Sequence, residues 1–382
     1  MTLQIKNKII FRQSPDNEAY FHPKICFIPH SDLLFMTLQT LRGSDFYGPM
    51  LSCYSTDHGE SWSSPRPIPS LGINPYDDTL FEGVCDVVPD YHAKTGRLLA
   101  IGHNVFYLKE GFLDTLGDFK RNKDKKHQNL QRYAVYSVAD QQGNWSERKE
   151  LLFEGFEKSS TFVCGCTQKL ILPDGDMIIP FTFSDWSRQD RQCCTFLCSF
   201  DGEQILFKKR GNILTHPVER GLLEPSLAYF KGKFWITLRA EDGHGYHASS
   251  DDGLHWSTLQ AWRWQDGEAL IMSTTQQHWL ELGGRLYLVY TRKTRDNENV
   301  MRWRSPLFIA EFDSQKCCLL KESETIVFPL RYIDADRQNA ALMGNFHPCV
   351  ISENEALVSV GENIPGRRQA GNTLLARITS IP

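Results

Sequence analysis

The amino-acid sequence predicts an all-β fold, a six-bladed β-propeller with four antiparallel strands in each blade. Three observations lead to this fold. Helical periodicity is scarce, and short β-type runs alternate with Gly, Asp, Asn and Pro turns along the chain. These runs fall into six successive groups, and one turn pattern occurs twice.

Each group starts with a strand that begins near a polar residue, and a strongly apolar strand follows. First strands are expected at residues 21–28, 83–88, 166–172, 224–230, 277–282 and 346–351. Second strands are expected at 33–41, 97–103, 176–183, 233–239, 285–291 and 356–361. Turn signals such as Pro173-Asp-Gly175 and Gly283-Gly284 separate the two.

The last group lacks a fourth strand. The N-terminal run Gln4 to Phe11 is expected to supply it and to close the ring, which removes exposed sheet edges. Residues 1–382 then form one propeller domain. Two β-sandwiches are the competing interpretation, but no Pro/Gly/Ser-rich linker divides the chain.

The repeated turn pattern reads S-x-D-x-G-x-x-W. Its copies are Ser55-Thr-Asp57-His-Gly59-Glu-Ser-Trp62 and Ser249-Ser-Asp251-Asp-Gly253-Leu-His-Trp256. In a tight turn the Asp side chain accepts hydrogen bonds from turn amides, and Gly adopts a positive φ that other residues resist. We therefore expect Asp57 and Asp251 to have structural roles.

Composition narrows the function. The chain has 382 residues and a formal net charge of −4, with no long run of one sign, so nothing indicates a nucleic acid or an anionic membrane as partner. Its 11 cysteines include no paired C-x-x-C motifs, which indicates buried free thiols in a reducing compartment. The first residues lack the apolar stretch of a secretory signal, so a cytoplasmic location is predicted.

The repeated turn resembles the Asp-box of the sialidase (neuraminidase) superfamily, and the six-group layout is similar to its propeller. The resemblance covers essentially the whole chain. It implies an Asp acid/base before the first Asp-box, matched by Asp45, and a Glu on the fourth blade, matched by Glu224. It also implies an Arg fifteen residues later, matched by Arg239, and a third Arg, matched near Arg302 and Arg304.

Two positions depart from the family pattern. His22, in Phe21-His22-Pro23, stands where the family has its first Arg. On the sixth blade the family's Tyr nucleophile has no counterpart, since the stretch there contains Phe346-His347-Pro348 and the nearest tyrosine is Tyr332. The chain thus resembles a divergent member that lacks the first Arg and the Tyr nucleophile.

The starts of the innermost strands of a propeller surround its axis at one end. The polar residues expected there are His22, Asp86, Gln168, Glu224, Gln277, His278 and His347. Buried polar groups need hydrogen bonds or water, so this set indicates a solvated pocket. His22 and His347 are candidate acid/base groups, and Asp86, Gln277 and His278 are candidate substrate contacts. Three or four histidines near one axis could also bind a metal, but propeller geometry spreads them apart, so no metal and no cofactor is predicted.

Planar guanidinium groups suit a carboxylate. Arg239 ends an apolar strand and should point to this pocket, while Arg302 and Arg304 are expected to share one strand face. Arg292 is a further candidate.

The favoured function is an exo-acting glycoside hydrolase of sialidase-like type that removes a terminal acidic sugar, either sialic acid or a uronic acid. Asp45 would be the acid/base and Glu224 the base or nucleophile activator, with His347 and His22 completing the site. Two alternatives remain: a His-based uronate polysaccharide lyase and a non-catalytic glycan-binding propeller. The expected partner in all three is a carbohydrate.

Overall fold

The structure, a computed structural model, describes residues 2–12, 19–43, 46–108, 111–112, 130–140, 142–188, 190–334, 339–364 and 370–381. These residues form strands and only short 3-10 helices, at Pro29–Ser31, Pro69–Leu71, Arg295–Asn297, Met301–Trp303 and Lys321–Ser323. The strands of the first half are β1 (Thr2–Phe11), β2 (Ala19–Ile28), β3 (Leu33–Gly43), β4 (Phe46–Tyr47), β5 (Leu51–Ser55), β6 (Arg66–Pro67), β7 (Asn74–Pro75), β8 (Leu80–His92), β9 (Arg97–Leu108), β10 (Gly111–Phe112), β11 (Arg132–Ala139), β12 (Lys149–Leu151), β13 (Ser159–Val163), β14 (Leu170–Ile171) and β15 (Met177–Asp185). Those of the second half are β16 (Gln192–Phe200), β17 (Ile205–Arg210), β18 (Leu223–Phe230), β19 (Lys233–Arg239), β20 (Gly245–Ser250), β21 (Gln260–Ala261), β22 (His278–Leu282), β23 (Arg285–Tyr290), β24 (Leu307–Asp313), β25 (Cys318–Leu319), β26 (Thr325–Phe328), β27 (Phe346–Ser352), β28 (Glu355–Gly361) and β29 (Thr373–Ile381).

The strands form a propeller-like set of sheets. Four sheets of four or five strands have the size of single blades: β2-β3-β5-β6 with β4 beside β3, β18-β19-β20-β21, β22-β23-β24-β25 with β26 beside β24, and β1-β29-β28-β27. The rest, β7 to β17, form one sheet of 11 strands. The described residues therefore show four separate blades and one larger sheet, where six separate blades were predicted. The cause is a short parallel pairing of β11 with β13, Arg132 opposite Thr161 and Tyr133 opposite Phe162, which joins two groups into one sheet.

Most of the predicted strands are confirmed, because alternation and turn residues are local signals. β2, β8, β18, β22 and β27 contain nearly all of the expected first strands, and β3, β9, β15, β19, β23 and β28 nearly all of the second. In the third group only Leu170–Ile171 of the expected 166–172 is a strand. The N-terminal strand β1 pairs antiparallel with β29, from Thr2 opposite Ile381 to Phe11 opposite Thr373, so its closing role in the last blade is also confirmed.

The first Asp-box turn has the expected hydrogen bonds. The Ser55 hydroxyl donates to Asp57 Oδ1 (2.7 Å), the Gly59 amide donates to the Ser55 hydroxyl (2.7 Å), and the Ser61 amide donates to Asp57 Oδ1 (2.9 Å). Gly59 has a φ of 84°. Asp57 thus holds the turn together, as predicted from the sequence.

The second turn uses a different aspartate from the one predicted. The Ser250 hydroxyl donates to Asp252 Oδ1 (3.0 Å), and the His255 amide donates to the same oxygen (2.8 Å). Asp251 instead forms an exposed ion pair with Lys233. The reason is that the strand before this turn continues to Ser250, so the capping Ser and Asp lie one residue later than the pattern places them.

The core lies within and between the sheets. Its densest part is a cluster in the 11-stranded sheet, where the rings of Phe153, Phe156, Phe162, Phe181 and Phe196 contact one another. All 11 cysteines are free, and all except the half-buried Cys317 are buried, as predicted. In the part of the chain that the structure describes, no helix has the length and apolar character needed to cross a membrane.

Candidate functional site

Four polar side chains share one unusual backbone conformation, within or beside the first strands of their groups. His22, Asp86, Cys166 and Glu224 all have positive φ, at 53°, 57°, 57° and 47°. Three of them lie at β-bulges, between Phe21 and Lys24 in β2, between Cys85 and Val88 in β8, and between Leu223 and Ser226 in β18. Non-glycine residues rarely adopt this conformation, and such strain concentrates at functional sites. Because a bulge re-aims its side chain, the backbone directs these residues to one end of the sheets, here called the mouth.

A chain of hydrogen bonds starts at the fully buried Lys24 and ends at His22. Lys24 Nζ donates to Gln276 Oε1 (3.1 Å), Gln276 Nε2 donates to Asn345 Oδ1 (2.8 Å), and Asn345 Nδ2 contacts His22 Nε2. An ammonium can only donate, so it fixes the orientation of both amides, and the Asn345 amide donates to His22 Nε2. With Nε2 accepting from Asn345, the ring proton of His22 lies on Nδ1, which is 3.1 Å from Asp86 Oδ1.

Asp86 is held in its ionised form. Burial by itself raises the pKa of this carboxyl, but His22, His103 and the Cys166 thiol more than offset it and hold the pKa well below its usual range. The Cys166 Sγ donates to Asp86 Oδ1 (2.9 Å). Burial, and then the charge of Asp86, raises the pKa of Cys166, so this residue remains a thiol.

Glu224 and Arg239 form the second charged pair at the mouth. Arg239 NH1 lies 2.7 Å from Glu224 Oε2, and the Arg239 side chain is only 8% exposed. Arg304 lies nearby: burial, followed by the charges of Arg239 and Arg302, lowers its pKa to about 10. The absence of a side chain at Gly344 makes room for it, because a Cβ there would lie 2.9 Å from Arg304 Cδ. The structure thus places Glu224, Arg239 and Arg304 in one charged group.

Sequence reasoning missed three further groups. Arg132 opens β11 and contacts His103 Nε2, and Arg191 lies directly before β16. Both stand where a third strand begins at the mouth, and a search of those positions for cations would have found them. Tyr47, in β4, is the tyrosine whose ring packs on His22, 4.7 Å between centroids.

Two predicted arginines lie apart from this group. Arg292 forms a two-point ion pair with Glu324 (2.7 and 2.6 Å), so its charge is neutralised within its own sheet. Arg302 is exposed and belongs to the 3-10 helix Met301–Trp303, with a φ of 51°. The expectation that Arg302 and Arg304 share a strand face is therefore wrong, because β24 begins only at Leu307. Asp45 lies outside the described residues.

Three other predicted residues lie inside the protein. Gln277 accepts hydrogen bonds from Thr237 (2.5 Å) and Trp262 (3.1 Å). His278 is fully buried, with Nδ1 2.9 Å from the Ser226 hydroxyl and Nε2 3.0 Å from Gln276 Oε1. Burial, and then the charge of Lys24, lowers the pKa of His278 and of His347 well below the usual value, so both rings are neutral.

His347 is not the equivalent of His22, although both occur in an F-H-P stretch. Ser359, opposite His347, donates a hydrogen bond to Pro23 O (2.8 Å), just as Thr37, opposite Lys24, donates to Val87 O (2.9 Å). His347 therefore occupies the layer of Lys24, because β27 lacks the bulge that shifts β2. It lines a cavity of about 490 Å³ that follows the first strands away from the mouth, together with Lys169, Asp90 and Gln168.

Cys85, Asp86 and His103 present metal-ligand atoms within 4.8 Å of one another. A thiol, a carboxylate and a neutral imidazole suit a soft divalent cation. Burial, and then the Arg132 charge, lowers the pKa of His103 to about 3, so the imidazole is neutral. However, its Nε2 already contacts the Arg132 guanidinium, whose positive charge repels a cation at that nitrogen. These three residues therefore suit a metal ion poorly.

Comparison with solved structures places this geometry in a known fold. A protein of unknown function from Dyadobacter fermentans DSM 18053 superposes with a TM-score of 0.66 and 15% identity over 99% of both chains. The Trypanosoma rangeli sialidase in complex with the inhibitor DANA gives a TM-score of 0.63 at 13% identity, covering 98% of this chain and 59% of the sialidase. The chain has a sialidase-like fold. The leech intramolecular trans-sialidase, complexed with 2,7-anhydro-Neu5Ac, has the same fold, with a TM-score of 0.63, 12% identity and coverage of 98% and 70%. No family model and no curated protein matches the sequence.

Proposed function

We propose that this protein is an exo-acting glycoside hydrolase of sialidase-like type that removes a terminal acidic sugar, a sialic or a uronic acid, from a glycan. The observation that carries the proposal is the Glu224–Arg239 pair with Arg304 beside it, at the mouth of a sialidase-like fold. A half-buried carboxylate among arginines combines a base with groups that bind an anionic substrate.

The proposed roles follow from the contacts. Arg239 and Arg304 bind the carboxylate of the sugar through planar guanidinium groups. Glu224 acts as base or nucleophile activator, and its contact with Arg239 fixes its position. Asp45 remains the proposed acid/base on the leaving oxygen. Asp86 and His22 would bind the sugar hydroxyls next to them.

The fold proposal can also be made finer. We regard the 11-stranded sheet as two blades, β7 to β12 and β13 to β17, because only two residue pairs join them. Residues 1–382 would then form one six-bladed propeller. The chain would be a divergent relative of the sialidases, with His22 in place of the first Arg.

The lyase alternative requires a histidine with a free lone pair. The Asn345 amide contacts His22 Nε2, and His347 lies deeper than the mouth, so neither ring offers that lone pair to a substrate. The hydrolase is therefore favoured over the lyase.

The test uses purified protein with 4-methylumbelliferyl α-sialosides and uronosides, compared with a neutral glycoside. We expect fluorescence release from an acidic glycoside, and a loss of about 10²-fold or more in kcat/KM for Glu224→Gln. Glu298→Gln, an exposed glutamate, is the matched control and should be fully active. Binding of the acidic glycoside without turnover would identify a glycan-binding propeller, and an unsaturated uronate product detected by ultraviolet absorbance would identify a lyase.

A further inference from the structure

The mouth carries two guanidinium groups that the proposed carboxylate site does not use. Arg132 opens β11 and Arg191 precedes β16, on neighbouring groups of strands. Among the residues that the structure describes, neither has a carboxylate partner, whereas their neighbours Arg220 and Arg239 are paired with Glu241 and Glu224.

Among the residues that the structure describes, carboxylates are fewer than guanidinium groups here: Asp86 Oδ2 lies 3.7 Å from His103 Nε2, and Glu224 is already paired with Arg239. The Arg132 guanidinium contacts the neutral ring of His103, which cannot balance its charge, and the buried Nε of Arg132 has no hydrogen-bond partner in the described part of the chain. Burial, and then the charges of Arg132 and Arg220, lowers the pKa of Arg191 to about 9. Cations held together in a partly dry site are stabilised by a bound anion.

The backbone holds Arg191 in place. Its amide donates to Arg220 O (2.8 Å), and its carbonyl accepts from the Leu222 amide (3.0 Å). Gly221 allows this approach, because a Cβ there would lie 2.3 Å from Arg191 O. The same segment continues into β18 and Glu224, so Arg191 and the proposed base are positioned by one stretch of chain.

We propose that Arg132 and Arg191 form a second oxyanion subsite, so that the preferred substrate is an acidic sugar with two anionic groups, of which a sulfate ester is the simplest second one. This inference rests on the proposed function for the first anion, the carboxylate at Arg239 and Arg304. Guanidinium groups bind sulfate and carboxylate oxygens by paired, charge-assisted hydrogen bonds.

The experiment compares binding of glucuronic acid and of its mono-O-sulfated forms to the full chain by isothermal titration calorimetry. At least one sulfated form should bind about 10-fold tighter than glucuronic acid, as a charge-assisted hydrogen bond allows. Arg191→Gln should abolish this gain and leave the affinity for glucuronic acid unchanged. Arg188→Gln is the matched control, because Arg188 lies on the same loop in an exposed ion pair with Asp190, and it should leave both affinities unchanged.

The outcomes separate the two proposals. If glucuronic acid binds but no sulfated form binds tighter, or if Arg191→Gln weakens both ligands equally, the second subsite is refuted and the acidic-sugar site stands. If neither glucuronic acid nor a sulfated form binds the native protein, the second subsite is refuted, and the proposed function also fails if the fluorogenic acidic glycosides are not turned over. Arg191→Lys, which keeps the charge, provides a second variant if Arg191→Gln does not fold, and it should retain part of the gain.

Discussion

The Glu224–Arg239 pair should be strongly coupled, and a double-mutant cycle can measure the coupling. The perturbations are Glu224→Gln, Arg239→Met and the two together. The nitrogen and oxygen are 2.7 Å apart, and the side chains are 25% and 8% exposed. Two charges about 4 Å apart attract each other by about 4 kcal/mol at an effective dielectric constant of about 20. Solvent access to Glu224 reduces this, so we expect a coupling free energy of about 2–3 kcal/mol.

The assay is urea unfolding of the four proteins, followed by tryptophan fluorescence. Each single variant leaves one charge without its partner. The stability losses of the two single variants should therefore add up to more than the loss of the double variant, and the difference is the coupling free energy. The Arg285–Glu311 pair is the control, since the Arg285 side chain is 41% exposed and its coupling should be under about 1 kcal/mol. A coupling below about 0.5 kcal/mol for Glu224–Arg239 would place it among surface pairs and would refute the argument that the mouth is a desolvated charged site.

Two further predictions concern stability. Burial lowers the pKa of His103 to about 3 in the folded protein, whereas the pKa of a histidine in the unfolded chain is about 6.5. As pH falls, the unfolded chain therefore binds a proton at this residue before the folded protein does. The contribution of His103 to the free energy of unfolding is fully present above about pH 6.5 and is lost as pH falls toward 3. Between pH 8 and pH 5 this one residue should cost about 2 kcal/mol in urea unfolding, and His103→Gln should flatten the curve by that amount; an unchanged pH dependence would contradict the assignment. At the second Asp-box, Gly253→Ala should destabilise by about 1–3 kcal/mol more than Gly232→Ala. Both glycines have positive φ, but of these two only Gly253 leaves no room for a Cβ, which would lie 2.5 Å from Ile178 Cδ1. Equal melting temperatures for Gly253→Ala and Gly232→Ala would contradict this prediction.

The sequence predicted most strands because their signals are local. Apolar runs ended by Gly, Asp and Pro mark β3 or β19 without knowledge of any partner strand. Both turns were predicted at the right places, but the capping aspartate of the second turn was assigned one residue too early. The pattern S-x-D fits both Asp251 and Asp252, and only the end of β20 decides between them.

The site was harder to predict because it depends on β-bulges and positive φ angles, and on residues from distant strands that meet at one end of the sheets. Nothing local shows that His22 or Cys166 adopts a positive φ, a conformation more typical of glycine. His22 and His347 have matching sequence contexts, but they lie in different layers of the structure. The reason is a bulge in β2 that has no counterpart at His347 in β27. Arg132 and Arg191 come from distant parts of the chain, and only the assembled sheets bring them to one end.

The pairing of β1 with β29 has a consequence for how the protein is made. Residues 2–11 find their partner only in residues 373–381, almost the whole chain away. During synthesis β1 is therefore made long before its partner strand β29. Until β29 is made, the backbone hydrogen-bond donors and acceptors of β1 can pair with other chains. The exposed and half-buried side chains of β1, with lysines at positions 6 and 8, disfavour such mispairing until the ring closes.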